Sequence, residues 1–407
     1  MIKYKFFLII IFAVITIKGF SQKKFLFDAS KAETAGNADW IIDADHWNLD
    51  YIPYAVLGGN EANAQRFPNP SQNNINANTA ETYWKGALSS WGVELVKKGY
   101  HVETLPYNGQ ITYLDAGNPQ DLSNYNVFVV CEPNIKFTSS EKSAILHFVK
   151  NGGGLFMVAD HNNSDRNGDG YDSPHIWNDL IFNNNVENNP FGFKFDYEFF
   201  TEATQNIVNP PGNPLTYGEY GKVTQVEFYG GTSMTLYPGS NTSVKGVVFR
   251  NGVSTNGTHQ VLCAYSEYGE GKVVALGDSS PADDGSGDIH DNLYDGWLED
   301  AFGNHRKLIM NGSIWLASNF LSTGNDFAMN NTVRIFKKEN NYYFITDDNN
   351  LNNEKLHLIV YDILGNVIVN KHVNFNNNPY FTIYNKGFYI YRLTSKNGEI
   401  FTGKLFR

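Results

Sequence analysis

Residues 160–173, DHNNSDRNGDGYDS, crowd acidic, imidazole and amide side chains into one stretch directly behind the apolar run GGGLFMVA. Two kinds of chemistry suit these residue types. Asp165, Asn167 and Asp169, followed by Gly170, fit the pattern D-x-[DN]-x-[DN]-G. In that pattern alternate oxygen side chains wrap a hard cation, and glycine permits the sharp turn. Its twelfth position holds Ile176 rather than Glu, so Asp172 has to supply the missing carboxylate, and calcium is the expected ion. The competing reading is a polar turn closed by Asx hydrogen bonds, which Asn, Asp and Gly favour. Asp160 and His161 belong to a different category, because they stand at the end of the apolar run itself. A His beside an Asp can act as a general base or ligate zinc, with His175 and His290 as further ligands. No H-E-x-x-H or cysteine-rich spacing is present, which places zinc behind calcium. A structural histidine hydrogen-bonded within its loop is the alternative for His161.

The elements that position these residues read as alternating strands and helices. Four apolar runs end in an acid: Asp28 in FLFDAS, Glu132 in VVCEP, Asp160 in FMVADH and Asp278 in VALGDS. Between them, Trp84, Leu88, Trp91 and Leu95 recur at helical spacing, with Thr79 as N-cap and Gly99 as stop. Thr138 and Glu141 make a capping box for a helix whose apolar face is Ala144, Ile145, Phe148 and Val149. This order predicts an α/β fold with a mostly parallel sheet flanked by helices. Residues 161–258 read as a large loop and β insertion. Residues 259–279 then return as a hairpin, and a helix follows whose buried side is Leu308, Ile309, Ile314, Trp315 and Leu316. Ligands of open parallel sheets bind outside the carboxyl ends of the strands. Asp28, Glu132, Asp160, His161 and Asp278 are therefore expected on one edge, joined by Glu33 and Asp39 from the loop after Asp28. Several close carboxylates cannot all stay ionised without a cation or raised pKa values, and a divalent metal is the simplest resolution. Ser279 and Ser280 lack a G-x-S-x-G elbow, which argues against a serine nucleophile.

Composition narrows the setting. The 407-residue chain has a formal charge of −11 and no Lys/Arg-rich run, which argues against nucleic acid as a partner. Lys3 and Lys5, the run FFLIIIFAVITI and a small-x-small site ending at Ser21 predict a signal peptide over 1–21. That run is too short for a spanning helix and no second one follows, so no membrane span is expected in the mature chain. An uncleaved anchor is the alternative. Cys131 and Cys263 sit in apolar runs and read as buried thiols. From VRIFKKENNYYFI onward, short alternating strands separated by Asn/Gly turns predict a small C-terminal all-β sandwich.

Two resemblances follow from these stretches. VVCEPN, FTSSEKSAILHFVKNGGGLFMVAD and GEGKVVALGD resemble the class I glutamine amidotransferase-like fold, its ThuA-like branch above all, over residues 22–322 apart from the insertion. This implies a flavodoxin-like sheet. Cys131 departs from the amidotransferase pattern, lacking the glycine-flanked turn before its helix. Tyr361-Asp362, Leu364-Gly365, Gly387-x-Tyr389 and the terminal GKLFR make residues 330–407 similar to the type A sorting domain of type IX secretion cargo. That resemblance implies passage through the periplasm, recognition by the outer-membrane translocon, and release or attachment at the cell surface. The leading functional expectation is a metal-assisted hydrolase of an extracellular polymer or its fragments. His161 would be base or ligand, with Asp160, Asp278, Asp28 and Glu33 positioning the ion or an attacking water. The alternative is a non-catalytic, calcium-stabilised protein that binds carbohydrate, with the aromatics of 182–237 stacking on sugar rings or forming a small core of their own. A purely structural surface protein is the third reading.

Overall fold

Five-residue apolar runs bounded by Gly, Asn or charged residues become buried strands, and the chain returns between them through capped helices. A computed structural model describes residues 22–34, 39–44, 64–287, 294–298, 300–318, 333–338, 341–346, 351, 354–362, 365–377, 379–385, 387–396 and 400–406. The expected signal peptide (1–21) and His290 lie outside the described residues. Strands β1 (Lys24–Asp28), β2 (His101–Leu105), β3 (Val127–Cys131) and β4 (Gly154–Val158) supply the parallel part. The 161–258 region contributes β5 (Phe193–Phe195), β6 (Phe200–Thr204), β7 (Tyr217–Gly218), β8 (Gly221–Lys222), β9 (Val226–Gly231), β10 (Met234–Leu236) and β11 (Lys245–Phe249). The expected hairpin is β12 (Val261–Tyr268) with β13 (Gly271–Leu276).

The main sheet has the order β2-β1-β3-β4-β13-β12-β10-β5, with β11 also paired to β12. The strands from β2 to β13 in that order are parallel; β12, β10, β5 and β11 pair antiparallel. The insertion is thus no separate body, because three of its strands extend the sheet. Side chains alternate across the pleat. Phe25 and Phe27 of β1 pack on one face with Trp91, Leu308 and Ile309, while Leu26 packs on the other with Ile145, Leu146 and Trp177. These partners come from α1 (Ser89–Lys97) and α4 (His305–Ala317) on the first face, and from α2 (Ser139–Lys150) and α3 (Ser173–Phe182) on the second.

The Thr138–Glu141 capping box opens α2 as expected. Helix α1 begins later than its periodicity suggests: Leu88 is its N-cap, Trp84 precedes it, and Thr79 instead accepts a hydrogen bond from the Asn76 N–H (2.9 Å). The cause is the chain around Gly86. It lies so close to another segment that a Cβ there would sit 2.4 Å from the Ile41 carbonyl oxygen, and Ser89 Oγ folds the preceding turn back by bonding Trp84 N and Glu81 O. In α4, Leu308, Ile309, Met310 and Leu316 are buried, whereas Ile314 and Trp315 are half-buried. No helix of the described residues is long and apolar enough to cross a membrane.

The C-terminal region is all antiparallel. Strands β14 (Val333–Lys338), β15 (Asn341–Thr346) and β18 (Tyr380–Thr382) form one sheet, and β16 (Leu356–Asp362), β17 (Val367–Val373), β19 (Phe388–Thr394) and β20 (Ile400–Phe406) another. Tyr342, Phe344, Leu356, Leu358, Val360, Tyr391 and Leu393 from both sheets share one core.

Candidate functional site

The strand order sets β1, β3, β4 and β13 side by side, at a spacing of about 4.8 Å per strand. Because all four run parallel, their carboxyl ends lie on one edge of the sheet. Asp28, Glu132, Asp160 and Asp278 stand there and are all buried, none more than 3% exposed. Glu132 leaves β3 with a φ of +50°, a left-handed conformation that costs a non-glycine residue about 1–2 kcal/mol. The surroundings enforce it. Glu132 N–H still bonds Val158 O (3.0 Å), and the Asn134 amide donates to the carbonyls of Glu132 (2.9 Å) and Ala32 (3.2 Å).

Arg166 ties two of these acids together. Its Nε donates to Glu132 Oε1 (2.6 Å) and a terminal nitrogen donates to Asp160 Oδ2 (2.8 Å). The loop holds it there through Arg166 N–H on Asn134 Oδ1 (3.0 Å). Ser279 Oγ donates to the second oxygen of Glu132 (3.0 Å). Burial pushes Glu132 up to about 8 against the pull of Arg166, and the neighbouring Asp160 charge adds to the rise. Asp160 is also pushed up by burial, to about 6, with Arg166 again opposing. Both carboxyls are thus raised by burial, and the proton that the pair takes up near neutral pH belongs to the pair, with Arg166 bonded to both members. Asp278 rises to about 7 through burial, although it accepts hydrogen bonds from Tyr229 N (2.6 Å) and Ser280 N (2.9 Å).

Asp28 and Glu33 form a second pair. Asp28 Oδ1 accepts from Ser30 N (2.9 Å) and Oγ (2.7 Å), and Glu33 Oε2 accepts from Lys31 N (2.7 Å). The remaining oxygens, Asp28 Oδ2 and Glu33 Oε1, are buried without a donor from elsewhere. Burial raises both groups, and the Asp28 charge raises Glu33 further, so a proton held by Glu33 satisfies the pair.

His161 is oriented by its own loop rather than by Asp160. Its Nδ1 bonds the Asn162 carbonyl (2.7 Å), so that nitrogen carries the hydrogen and the neutral ring keeps a lone pair on Nε2. Its main-chain N–H caps Asp160 Oδ1 (2.6 Å), and its ring lies on Phe199 with centroids 4.3 Å apart. Gly230 makes room for this contact, since a Cβ there would sit 3.0 Å from Phe199 Cε2 and 3.2 Å from His161 Cδ2.

In the 165–172 loop, Asp165 takes the N–H groups of Asp169 (3.1 Å) and Gly170 (2.7 Å), Asn167 Oδ1 takes Asp169 N (3.2 Å), and Asp169 takes Tyr171 N (2.9 Å). Asp172 caps α3, bonding His175 N (3.0 Å) and Nδ1 (2.6 Å) through one oxygen and Asn163 N (2.7 Å) through the other. Among the described residues no three His, Cys, Asp or Glu side chains converge as a metal-holding group. Cys131 and Cys263 are buried, and burial raises both thiols, Cys131 under the added influence of Glu132, Asp160, Glu33 and Asp278. Arg166 is the side chain of this centre that sequence reasoning passed over. Its signal is a single cation inside an acid-rich loop. No protein-family model, no curated protein and no solved structure matches this chain.

Proposed function

We propose that the chain is an exported hydrolase of an extracellular polymer or its fragments, with its acid and base at the carboxyl edge of the sheet. The observation that carries this reading is two adjacent buried carboxyls at the strand ends bridged by one guanidinium, Arg166, at 2.6 Å and 2.8 Å. Burial pushes Glu132 up to about 8 and Asp160 to about 6, and in this proposal the pair's proton sits on Glu132 at neutral pH. Paired carboxyls driven apart by their surroundings supply an acid and a charge-stabilising partner at one pH. In the proposed step a water attacks the scissile bond, its proton passes to His161 Nε2, and Glu132 gives its proton to the leaving group. Asp160 and Asp278 orient the water and stabilise the charge that develops, and Asp28 with Glu33 holds the adjoining turn.

Calcium on the 165–172 loop is a separable part of the proposal. The N–H bonds to Asp165, Asn167 and Asp169 leave second lone pairs for a cation, but Asp172 is committed to the cap of α3 and to His175. The order β2-β1-β3-β4-β13 supports a flavodoxin-like, ThuA-like reading of residues 22–322, with Asp28 and Glu132 flanking the reversal point of strand order. The antiparallel C-terminal region supports the reading of 330–407 as a type IX sorting domain.

A hydrolase screen on polysaccharides, esters and peptides tests the reading. Turnover by the wild type, lost in Glu132→Gln and His161→Ala with melting temperature retained, is the expected outcome. Equal activity in both variants contradicts it. Glycan binding with no turnover of any substrate favours the non-catalytic alternative, for which the exposed Tyr197 and Phe199 speak.

A further inference from the structure

We infer that the ligand of this site is a neutral glycan chain, for which Tyr197, Phe199 and Tyr229 are stacking platforms. The inference rests on the hydrolase reading only for the fate of the glycan, not for its binding.

The three rings belong to the insertion and are 43%, 68% and 44% exposed. Each is supported on one side by another ring. Tyr197 stacks on His175 (centroids 4.2 Å apart, planes 22° apart), Phe199 lies on His161 (4.3 Å) and Tyr229 on Tyr294 (4.4 Å). The Phe199 and Tyr229 rings are tilted by 53° and 51° to the rings they touch, and all three platforms stay partly open to water. An open ring face accepts the C–H side of a sugar ring, as aromatic faces do with any flat apolar surface.

The segment that carries Tyr197 and Phe199 is bound to the acid centre. Asn162 N–H donates to Glu198 O (2.8 Å), Asp196 N–H to Ser233 O (2.8 Å), and Thr232 Oγ1 to Asp196 O (2.5 Å). Thr232 N–H in turn bonds Gly277 O (2.8 Å), one residue before Asp278. Tyr229 joins through its own N–H on Asp278. Residues 197 and 199 stand in the short connection between β5 and β6, which keeps the two platforms close together.

Charge selects the ligand class. Asp196, Glu198 and Glu202 accompany the rings against two cations: Arg250, engaged with Glu202 (3.1 Å) and Glu198 (3.7 Å), and Lys194, whose Nζ lies 5.1 Å from the Tyr197 ring centroid. In a chain of net charge −11 this surface repels an anionic polymer. Hydroxyl groups on a neutral chain find carboxylate acceptors along the 196–202 segment.

The test uses the full chain carrying Glu132→Gln, so that ligands survive titration. Calorimetry is run with neutral hexasaccharides of glucose, mannose, xylose and N-acetylglucosamine, with hexagalacturonate as the anionic probe and a Lys/Phe hexapeptide as the cationic one. At least one neutral hexasaccharide binds, hexagalacturonate does not, and Tyr197→Ala and Phe199→Ala each weaken binding about tenfold, the loss expected for one aromatic face. Tyr197→Phe retains affinity. The inference is overturned if no neutral hexasaccharide binds at millimolar concentration, if either charged probe binds better, or if the alanine variants bind like their parent. Binding by the parent without turnover by the wild type leaves the inference standing and removes the hydrolase reading. Turnover of a glycan at rates unchanged by Tyr197→Ala, Phe199→Ala and Tyr229→Ala removes the inference alone.

Discussion

Arg166→Met probes the electrostatics of the strand-end centre most severely. The substitution keeps the length of the aliphatic stem and deletes the guanidinium that bonds Glu132 Oε1 at 2.6 Å and Asp160 Oδ2 at 2.8 Å. Those carboxyls are 0% and 4% exposed, so water does not replace the lost partner. Removing one member of a buried ion pair leaves the other charge stranded, at a cost of about 3–5 kcal/mol. The sign with pH follows from the carboxyls. Without Arg166 both pKa values climb further, so the variant relieves its strain by binding protons. At pH 8.5, where proton uptake relieves only part of the strain, the loss is expected to approach about 3–5 kcal/mol, and at pH 5, with both groups neutral, it shrinks to the hydrogen-bond deficit of about 1–3 kcal/mol. Urea unfolding followed by tryptophan fluorescence is the assay. All seven tryptophans lie between residues 40 and 315, so the signal reports the α/β region and not the C-terminal strands. Adding Glu132→Gln to Arg166→Met is expected to return part of the loss at pH 8.5. A cost below about 1 kcal/mol at pH 8.5, the range of an exposed ion pair, or a loss that grows as pH falls, refutes the reasoning.

Three further outcomes are expected. Glu132 (about 8), Asp278 (about 7) and Asp160 (about 6) titrate above their unfolded values. Their contribution is complete below about pH 4 and is lost as pH rises through the folded values, at up to about 1.4 kcal/mol per pH unit for each group. The guanidinium midpoint of the tryptophan transition should therefore be lower at pH 8.5 than at pH 5, and an equal or higher midpoint contradicts the assignments. Gly230→Ala places a Cβ against Phe199 and His161 at a φ of +81°, for an expected cost of about 1–2 kcal/mol seen as a lower melting temperature. Calcium at a hundredfold excess over its dissociation constant should raise stability by about 2.7 kcal/mol. The rise should vanish in Asp165→Asn with Asp169→Asn, and no bound metal with no shift removes that part of the proposal.

Strand ends were legible because short apolar runs finishing in an acid are hard to read otherwise. Asp28, Glu132, Asp160 and Asp278 could be placed on one edge from the β-α-β order alone. The Thr138 capping box was equally local. What the sequence did not disclose depended on contacts distant along the chain. The start of α1 is set by the close approach of Gly86 to Ile41, which no periodicity records. Arg166 stands six residues after Asp160 but also reaches Glu132, thirty-four residues back, so its partner was invisible in the loop pattern. The orientation of His161 turned on one carbonyl, Asn162, rather than on the adjacent carboxylate that its sequence context suggested. The 161–258 region read as an insertion because its strands are short, yet β5, β10 and β11 finish the main sheet.

The proposed acid role requires that Glu132 retain a proton at neutral pH. Infrared difference spectroscopy of the full chain between pH 6 and pH 9.5 tests this directly through the C=O stretch of buried protonated carboxyls. A protonated-carboxyl band that disappears with a midpoint near 8, and that is missing in Glu132→Gln, is the predicted result. A band of the same size and midpoint in Glu132→Gln, or no protonated carboxyl at pH 7, contradicts it.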